Sequence, residues 1–113
     1  MRAWAKGLLC LEAAVGLLTG SAAWLYRQDF LDVAVEMVTE PGREMAFIDF
    51  TAAADALAAG SLPCSPGERA VLQVATGIAA GCPVNLEDAL SSLDTANAAL
   101  VADAVLHAAG ARR

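Results

Sequence analysis

Residues 65–81 read SPGERAVLQVATGIAAG and carry the most specific local signal in the chain. Ser65 stands where a helix N-cap is expected, Pro66 follows at the first helical position, and Glu68 completes a capping box. Apolar residues then recur at helical spacing until Gly81, which can adopt the left-handed conformation that ends a helix. The stretch therefore predicts a helix with a broad buried face. That face consists of Val71, Leu72, Val74, Ala75, Ile78 and Ala79.

Start and stop signals of the same kind divide the rest of the chain into short helices. The expected N-caps are Asp29, Asp49, Asn85 and Asp94, and the expected glycine stops are Gly60 and Gly110. The predicted helices span residues 30–38, 50–59, 66–80, 86–93 and 95–109. No segment alternates convincingly between apolar and polar residues as a half-buried strand does. We therefore expect an all-α fold, a compact single domain over residues 1–113 built as a bundle of five or six short helices.

Two parts of this domain are expected to be less closely integrated. Residues 39–45 contain Pro41-Gly42, a strong turn signal, and form the expected linker. Residues 1–26 form an expected separable N-terminal helix and allow three interpretations. A basic start followed by an apolar stretch resembles a secretory signal peptide. The same stretch carried on to Tyr26 would be a poor transmembrane helix, and the third interpretation is an amphipathic helix that covers the core.

Two observations favour the amphipathic helix. Glu12 lies in the middle of the apolar run, where a charge costs about 2.5–3.5 kcal/mol within a bilayer. Apolar residues also recur every three or four positions, as on one helical face. The resulting stripe consists of Leu11, Val15, Leu18, Ala22 and Leu25. We expect this stripe to face the core, and export or membrane association through residues 1–26 is the alternative.

The charge distribution argues against nucleic-acid binding. The formal net charge is −6, and residues 70–111 contain four acidic residues but no lysine or arginine. Nucleic-acid affinity depends on lysine and arginine contacts to phosphate. The last two predicted helices superficially resemble a helix-turn-helix, yet without basic residues we expect a plain helical hairpin. An acidic surface instead favours a basic protein partner.

Cysteine usage favours a reducing compartment. Cys64 and Cys82 flank the predicted helix over residues 66–80, whose ends lie about 22 Å apart at 1.5 Å per residue. A disulfide between them is therefore not expected, because the Cα atoms of a disulfide lie within about 7 Å. Cys10 could still pair with either. Thiols without obvious partners are typical of the cytoplasm, where we expect this protein.

Few residues offer catalytic chemistry. His107 is the only histidine and so the first candidate general base, although its place near a helix end is typical of a structural residue. Cys64 directly precedes a helix start, where the helix dipole lowers the pKa of a thiol, and is the candidate nucleophile of a thiol enzyme. A catalytic pair would need Cys64 and His107 together. Cys64, Cys82 and His107 could also bind zinc, but they lack the close spacing of zinc-ligand pairs.

A carboxylate cluster is the remaining candidate. Asp29, Asp32 and Glu36 share one face if residues 30–38 form a helix, and paired carboxylates can bind metals in helical bundles. Such sites also need a Glu-x-x-His motif, which this sequence lacks. A solvated acidic stripe is the favoured interpretation. We therefore assign no catalytic, cofactor-binding or metal-binding residue and expect no cofactor.

Several short motifs in the second half carry a resemblance. They are Ile48-Asp49-Phe50, Leu62-Pro63-Cys64-Ser65 followed by Glu68, Pro83-Val84-Asn85-Leu86, Leu93-Asp94 and Leu106-His107-Ala108. In these motifs the chain resembles short, uncharacterised actinobacterial helical proteins over a little more than half its length. The resemblance implies no function.

The function expected from sequence is that of a small acidic helical module that binds another protein or has a regulatory role. It rests on the missing catalytic motifs, the negative charge and an N-terminal helix suited to docking. No enzymatic activity is expected. The alternatives are a membrane-associated or exported protein using residues 1–26 and a thiol-dependent enzyme using Cys64.

Overall fold

The computed structural model describes residues 3–21 and 23–111. These residues form six α-helices, a short 3-10 helix at Trp24–Tyr26 and one β-hairpin. In chain order the elements are α1 (Ala3–Ser21), α2 (Gln28–Ala34), β1 (Val35–Glu40), β2 (Arg43–Ile48), α3 (Phe50–Ala58), α4 (Pro66–Ala80), α5 (Leu86–Ser91) and α6 (Thr95–Ala108). The expected class is confirmed, because the fold is a compact helical bundle with only a two-stranded sheet.

Helix α4 is the centre of the bundle and contacts α1, α3, α5 and α6. Its capping box is present as predicted: the Ser65 hydroxyl accepts from the Glu68 N–H at 3.2 Å, and the Glu68 carboxylate accepts from the Ser65 N–H at 2.9 Å. Gly81 ends the helix with φ = +69°. The buried residues of α4 are Ala70, Val71, Leu72, Val74, Ala75 and Thr76. A helix enclosed on so many sides must be apolar around most of its circumference.

Three of the other four predicted N-caps are confirmed, whereas Asp29 was wrong because α2 begins at Gln28 and Asp29 lies in its first turn. The side chains of Asp49, Asn85 and Asp94 each accept a backbone N–H from the third residue beyond them. Helix α5 is shorter than predicted and ends at Ser91. In α6, Val101 and Ala104 are buried, whereas Val105 is half-exposed.

Helix α1 packs on the core between α4 and α6, but through a different face from the one predicted. Its buried residues are Ala13, Ala14, Leu17 and Leu18, whereas Leu11 and Val15 are exposed. Of the rest of the predicted stripe, Leu25 is partly buried and Ala22 lies outside the described residues. The contact with α4 and α6 therefore uses two alanines and two leucines, of which Leu18 belongs to the expected stripe. Within the described chain, none of the helices combines the length and apolar character that a membrane crossing needs.

The connection from α1 to α2 is fixed to α4 by a buried tryptophan. The Trp24 side chain is fully buried, and its indole N–H donates to the Glu68 carbonyl at 2.9 Å. The Phe30 ring lies 5.5 Å from it, centroid to centroid, and the Arg27 guanidinium lies 4.6 Å from the indole centroid. Aromatic and cation–π contacts of this kind add to the area buried. The N-terminal segment is therefore part of the hydrophobic core.

The largest departure from expectation lies at residues 35–48. The predicted helix over residues 30–38 was wrong beyond Ala34, and residues 39–45, expected as a linker, belong to an antiparallel hairpin. Pro41 cannot continue a helix and disfavours helical backbone at the residue before it. Gly42 has φ = +85°, which the second central residue of a type II turn requires. The turn thus pairs two six-residue runs that contain β-branched and aromatic residues.

Candidate functional site

The hairpin formed by β1 and β2 exposes apolar side chains on both faces. Met37 is 62% exposed and Phe47 is 48% exposed. Met37 pairs with Ala46, and Phe47 pairs with Glu36, the neighbour of Met37 in β1. Because successive residues of a strand point to opposite faces, Met37 and Phe47 lie on different sides of the hairpin. Neither face is fully apolar or fully polar.

The core supports the hairpin only at its base. Val35 and Ile48, which pair with each other, are partly buried against the core. The Asp49 N–H donates to the Ala34 carbonyl at 2.6 Å and closes the junction with the neighbouring helices. In the described part of the chain the sheet has no third strand, so β1 and β2 are both edge strands. Edge strands carry unpaired backbone N–H and C=O groups and can pair with another chain.

The hairpin is also acidic. Its twelve strand residues contain three glutamates, Glu36, Glu40 and Glu44, and one arginine, Arg43. Their formal sum is −2, which has the same sign as the net charge of −6. An additional strand with lysine or arginine would complement this charge, whereas an acidic strand would be repelled.

A second surface feature is a groove between α1 and α6, which we call the α1–α6 groove. His107 of α6 contacts Glu12 of α1 through Nε2 and Oε1 at 3.0 Å, and both side chains are about half exposed. The groove has a volume of about 470 Å³ and extends past Gly16 of α1. The sole histidine therefore forms a polar bridge between two helices, a role that the sequence did not reveal.

Cys64 does not have the environment of an activated nucleophile. Partial burial raises the pKa of the Cys64 thiol, and the nearby Glu68 carboxylate raises it further, against the opposite effect of Arg27 and Arg69. The expectation that the helix start lowers this pKa is thus not met. His107 is engaged in the α1–α6 groove, whose lining does not include Cys64. The structure does not bring these two residues together as a catalytic pair.

The potential metal ligands are also separated. Cys10, Cys64 and Cys82 are free thiols in the structure. Over the described residues, no three histidine, cysteine, aspartate or glutamate side chains form a group suited to a metal ion. Neither the zinc hypothesis nor the carboxylate hypothesis therefore gains support from the geometry.

The expected carboxylate stripe is interrupted by the end of α2. Asp29 accepts from the Arg27 guanidinium, with Nε and Oδ1 at 3.0 Å, and this hydrogen bond lowers the pKa of the Asp29 carboxyl. Asp32 accepts from the Gln28 amide at 2.7 Å. Glu36 lies in β1 and does not share the helical face. The three carboxylates thus have separate surroundings.

Comparisons with family models, curated proteins and solved structures find no match to this chain. The resemblance to short actinobacterial proteins therefore stays a prediction. The hairpin and the α1–α6 groove are the two candidate functional surfaces of the described residues. Sequence reasoning missed both, although Pro41-Gly42 between two runs of six residues was a usable hairpin signal.

Proposed function

We propose that this protein is a non-enzymatic interaction module that binds a basic segment of another protein through its hairpin. The bound segment adds as an extended strand to one edge of the two-stranded sheet. The observation that carries this proposal is the two-sided exposure of Met37 and Phe47 on a hairpin whose two edges pair with no other strand among residues 3–21 and 23–111.

Backbone pairing would supply affinity that does not depend on a particular side chain. A two-stranded hairpin is only marginally stable in water, and a third strand adds a ladder of hydrogen bonds. The helical bundle holds the hairpin base through Val35 and Ile48, so the outer part is presented to a partner in a fixed register. A scaffolded strand loses less conformational entropy on binding than a free one.

The exposed apolar residues would supply side-chain contacts on each face. A residue of the bound strand that lies beside Met37 faces one side, and its neighbour faces the side of Phe47. Aromatic and methionine side chains are enriched in protein interfaces. Because adjacent strands lie about 4.8 Å apart, a partner strand beside β2 would contact Phe47 directly, whereas one beside β1 would contact Met37 directly.

Charge selects the class of partner. The hairpin has a formal charge of −2, so pairing with a second copy of this chain would place like charges on adjacent strands. A segment rich in lysine or arginine avoids this repulsion and is attracted by the net charge of −6. We therefore favour a basic heterologous partner over self-association. The raised pKa of Cys64 supports a role without thiol catalysis.

The test is affinity capture from the native host with three baits, followed by binding of a defined peptide. The baits are the wild-type protein, Phe47→Glu and the control Tyr26→Ser. Tyr26 is 83% exposed and lies outside the hairpin, so the control removes an even more accessible aromatic side chain. Any protein retained by the wild type but not by Phe47→Glu is divided into synthetic peptides, which are titrated against the purified baits.

The proposal expects a lysine- or arginine-rich peptide that binds the wild type and Tyr26→Ser equally. Its affinity for Phe47→Glu should be at least about tenfold lower, because an apolar contact is lost from the interface. Binding should also weaken as salt increases. Equal capture by all three baits, an empty capture by the wild type, or a dimer of the purified protein that Phe47→Glu dissociates would each contradict the proposal.

A further inference from the structure

The hydrogen-bond pattern of the hairpin follows from its two ends. At the base, the Asp49 N–H donates to the Ala34 carbonyl, and these two residues are opposite each other in the register of the strands. At the tip, the Pro41-Gly42 turn joins Glu40 to Arg43, and the hydrogen bond that closes such a turn links these paired residues. Hydrogen-bonded and non-hydrogen-bonded pairs alternate along an antiparallel ladder. Both ends therefore assign the same alternation to the six pairs of the hairpin.

This alternation determines which backbone groups point away from the hairpin. Residues of the non-hydrogen-bonded pairs direct their N–H and C=O groups outward, to the two edges of the sheet. In β1 these residues are Val35, Met37 and Thr39, and in β2 they are Glu44, Ala46 and Ile48. Each edge therefore presents three alternate residues toward a third strand.

The two edges are not equally open. The Val35 N–H already donates to the Leu31 carbonyl at the end of α2, and α2 continues directly into β1 and contacts it. No other backbone group within residues 3–21 and 23–111 hydrogen-bonds to the outward N–H and C=O groups of β2. The β2 edge thus offers its outward donors and acceptors as a complete set, whereas β1 lacks one donor.

We infer that the bound segment pairs with β2, an assignment that rests on the proposed function and specifies its binding site. The site consists of the outward backbone groups of Glu44, Ala46 and Ile48 together with the Phe47 side chain, which is 48% exposed. A partner residue opposite Phe47 is therefore apolar. A partner residue opposite Glu44, three positions away on the other face, is basic, because opposite charges on facing residues stabilise a strand pair.

The probe is a blocked heptapeptide of alternating lysine and valine, KVKVKVK, which carries lysines on one face of a strand and valines on the other. Amide exchange of the 15N-labelled full chain is followed by nuclear magnetic resonance with and without this peptide. Exchange should slow at least about tenfold at the amides of Glu44, Ala46 and Ile48 and stay unchanged at Met37 and Thr39. The same peptide with glutamate in place of lysine should not bind, because its charge has the sign of the protein's own.

Two proline substitutions remove one outward N–H from each edge and leave the hydrogen bonds between β1 and β2 in place. Proline is tolerated on edge strands where the N–H faces solvent. Ala46→Pro should weaken peptide binding at least about tenfold, because the ring replaces a donor to the bound strand. The matched control, Thr39→Pro, should bind the peptide as the wild type does. If Ala46→Pro loses the hairpin, amide exchange of the wild type decides.

The outcomes separate the choice of strand from docking itself. Slowed exchange at Met37 and Thr39 instead of the β2 amides would overturn the assignment to β2 and leave the proposed function standing. Weaker binding to Thr39→Pro than to Ala46→Pro would have the same meaning. If the peptide slowed exchange in neither strand of the wild type, the proposed function and this assignment would both be overturned.

Discussion

Replacement of Trp24 by phenylalanine tests whether the N-terminal segment is part of the core. The substitution removes the indole N–H that donates to the Glu68 carbonyl at 2.9 Å and leaves a smaller ring beside Phe30. The Glu68 carbonyl lies in the first turn of α4 and keeps its helical hydrogen bond. The lost bond therefore costs about 1 kcal/mol, at the middle of the usual range.

The smaller ring adds a second cost. Trp24 is fully buried, and a partly refilled space in a packed core costs about a further 1 kcal/mol. The sum is about 2 kcal/mol, a sizeable fraction of a typical unfolding free energy of about 5–15 kcal/mol. At roughly 4 °C per kcal/mol for a chain of this size, Tm should fall by roughly 8 °C.

The assay is urea unfolding followed by far-ultraviolet circular dichroism, since tryptophan fluorescence would change with the substitution itself. Tyr26→Phe is the matched control, because it removes one polar group from an aromatic residue that is 83% exposed. Its stability should stay within about 0.5 kcal/mol of the wild type. If Trp24→Phe were equally neutral, the indole would not be buried against α4 and the assignment of this segment to the core would be refuted.

Three further substitutions have expected outcomes. Ser21→Ala should raise the unfolding free energy by about 1 kcal/mol in urea titrations, because the Ser21 hydroxyl is buried without a hydrogen-bond partner among the described residues; a loss of stability would indicate a missed partner. Cys64 should react with iodoacetamide more slowly than cysteine in an unfolded peptide, because partial burial and the Glu68 carboxylate raise the pKa of its thiol. Glu68→Gln removes the carboxylate and should accelerate the reaction; peptide mass spectrometry follows both rates, and an unchanged rate would contradict the effect of Glu68. Asp29→Asn should destabilise the protein near neutral pH but not at a pH below the lowered pKa of the Asp29 carboxyl, because a depressed pKa stabilises the fold above the unfolded-state pKa and this contribution is lost on acidification. Chemical denaturation at several pH values measures the difference in unfolding free energy between variant and wild type, and a difference that does not change with pH would show that the Arg27 contact is not responsible.

Helix boundaries could be predicted because they depend on local chemistry. The capping box at Ser65 and the N-caps at Asp49 and Asp94 use side chains that bond to backbone within three residues. Such bonds form in any tertiary context that allows a helix. Sequence reading was therefore most successful from α3 to α6.

The hairpin could not be recognised by alternation because both of its faces carry apolar residues. Val35, Met37 and Ile48 share one face, and Phe47 lies on the other. The alternation of apolar and polar residues that identifies a half-buried strand cannot be seen in the sequence when neither face of the strand is purely polar. The exposed apolar residues that weakened the strand signal are the same residues that support a docking role.

The α1–α6 groove depends on contacts between residues far apart in sequence. Glu12 and His107 are 95 positions apart, and their contact requires antiparallel docking of α1 on α6. The same docking places Gly20 against Leu100 and leaves Gly16 open. Two glycines in one helix indicate a close approach or a break, but not which residue they face. The predicted buried stripe of α1 was wrong at Leu11 and Val15 for the same reason, although Leu18 is buried as predicted.

Amide exchange, measured residue by residue with and without the basic peptide, tests the docking claim most directly. In the free protein, every second amide of β1 and of β2 points outward and should exchange rapidly. Binding should slow exchange at least about tenfold at alternate amides of one strand and leave the outward amides of the other strand unchanged. Protection that is absent from the hairpin, or confined to α1 and α6, would contradict strand addition.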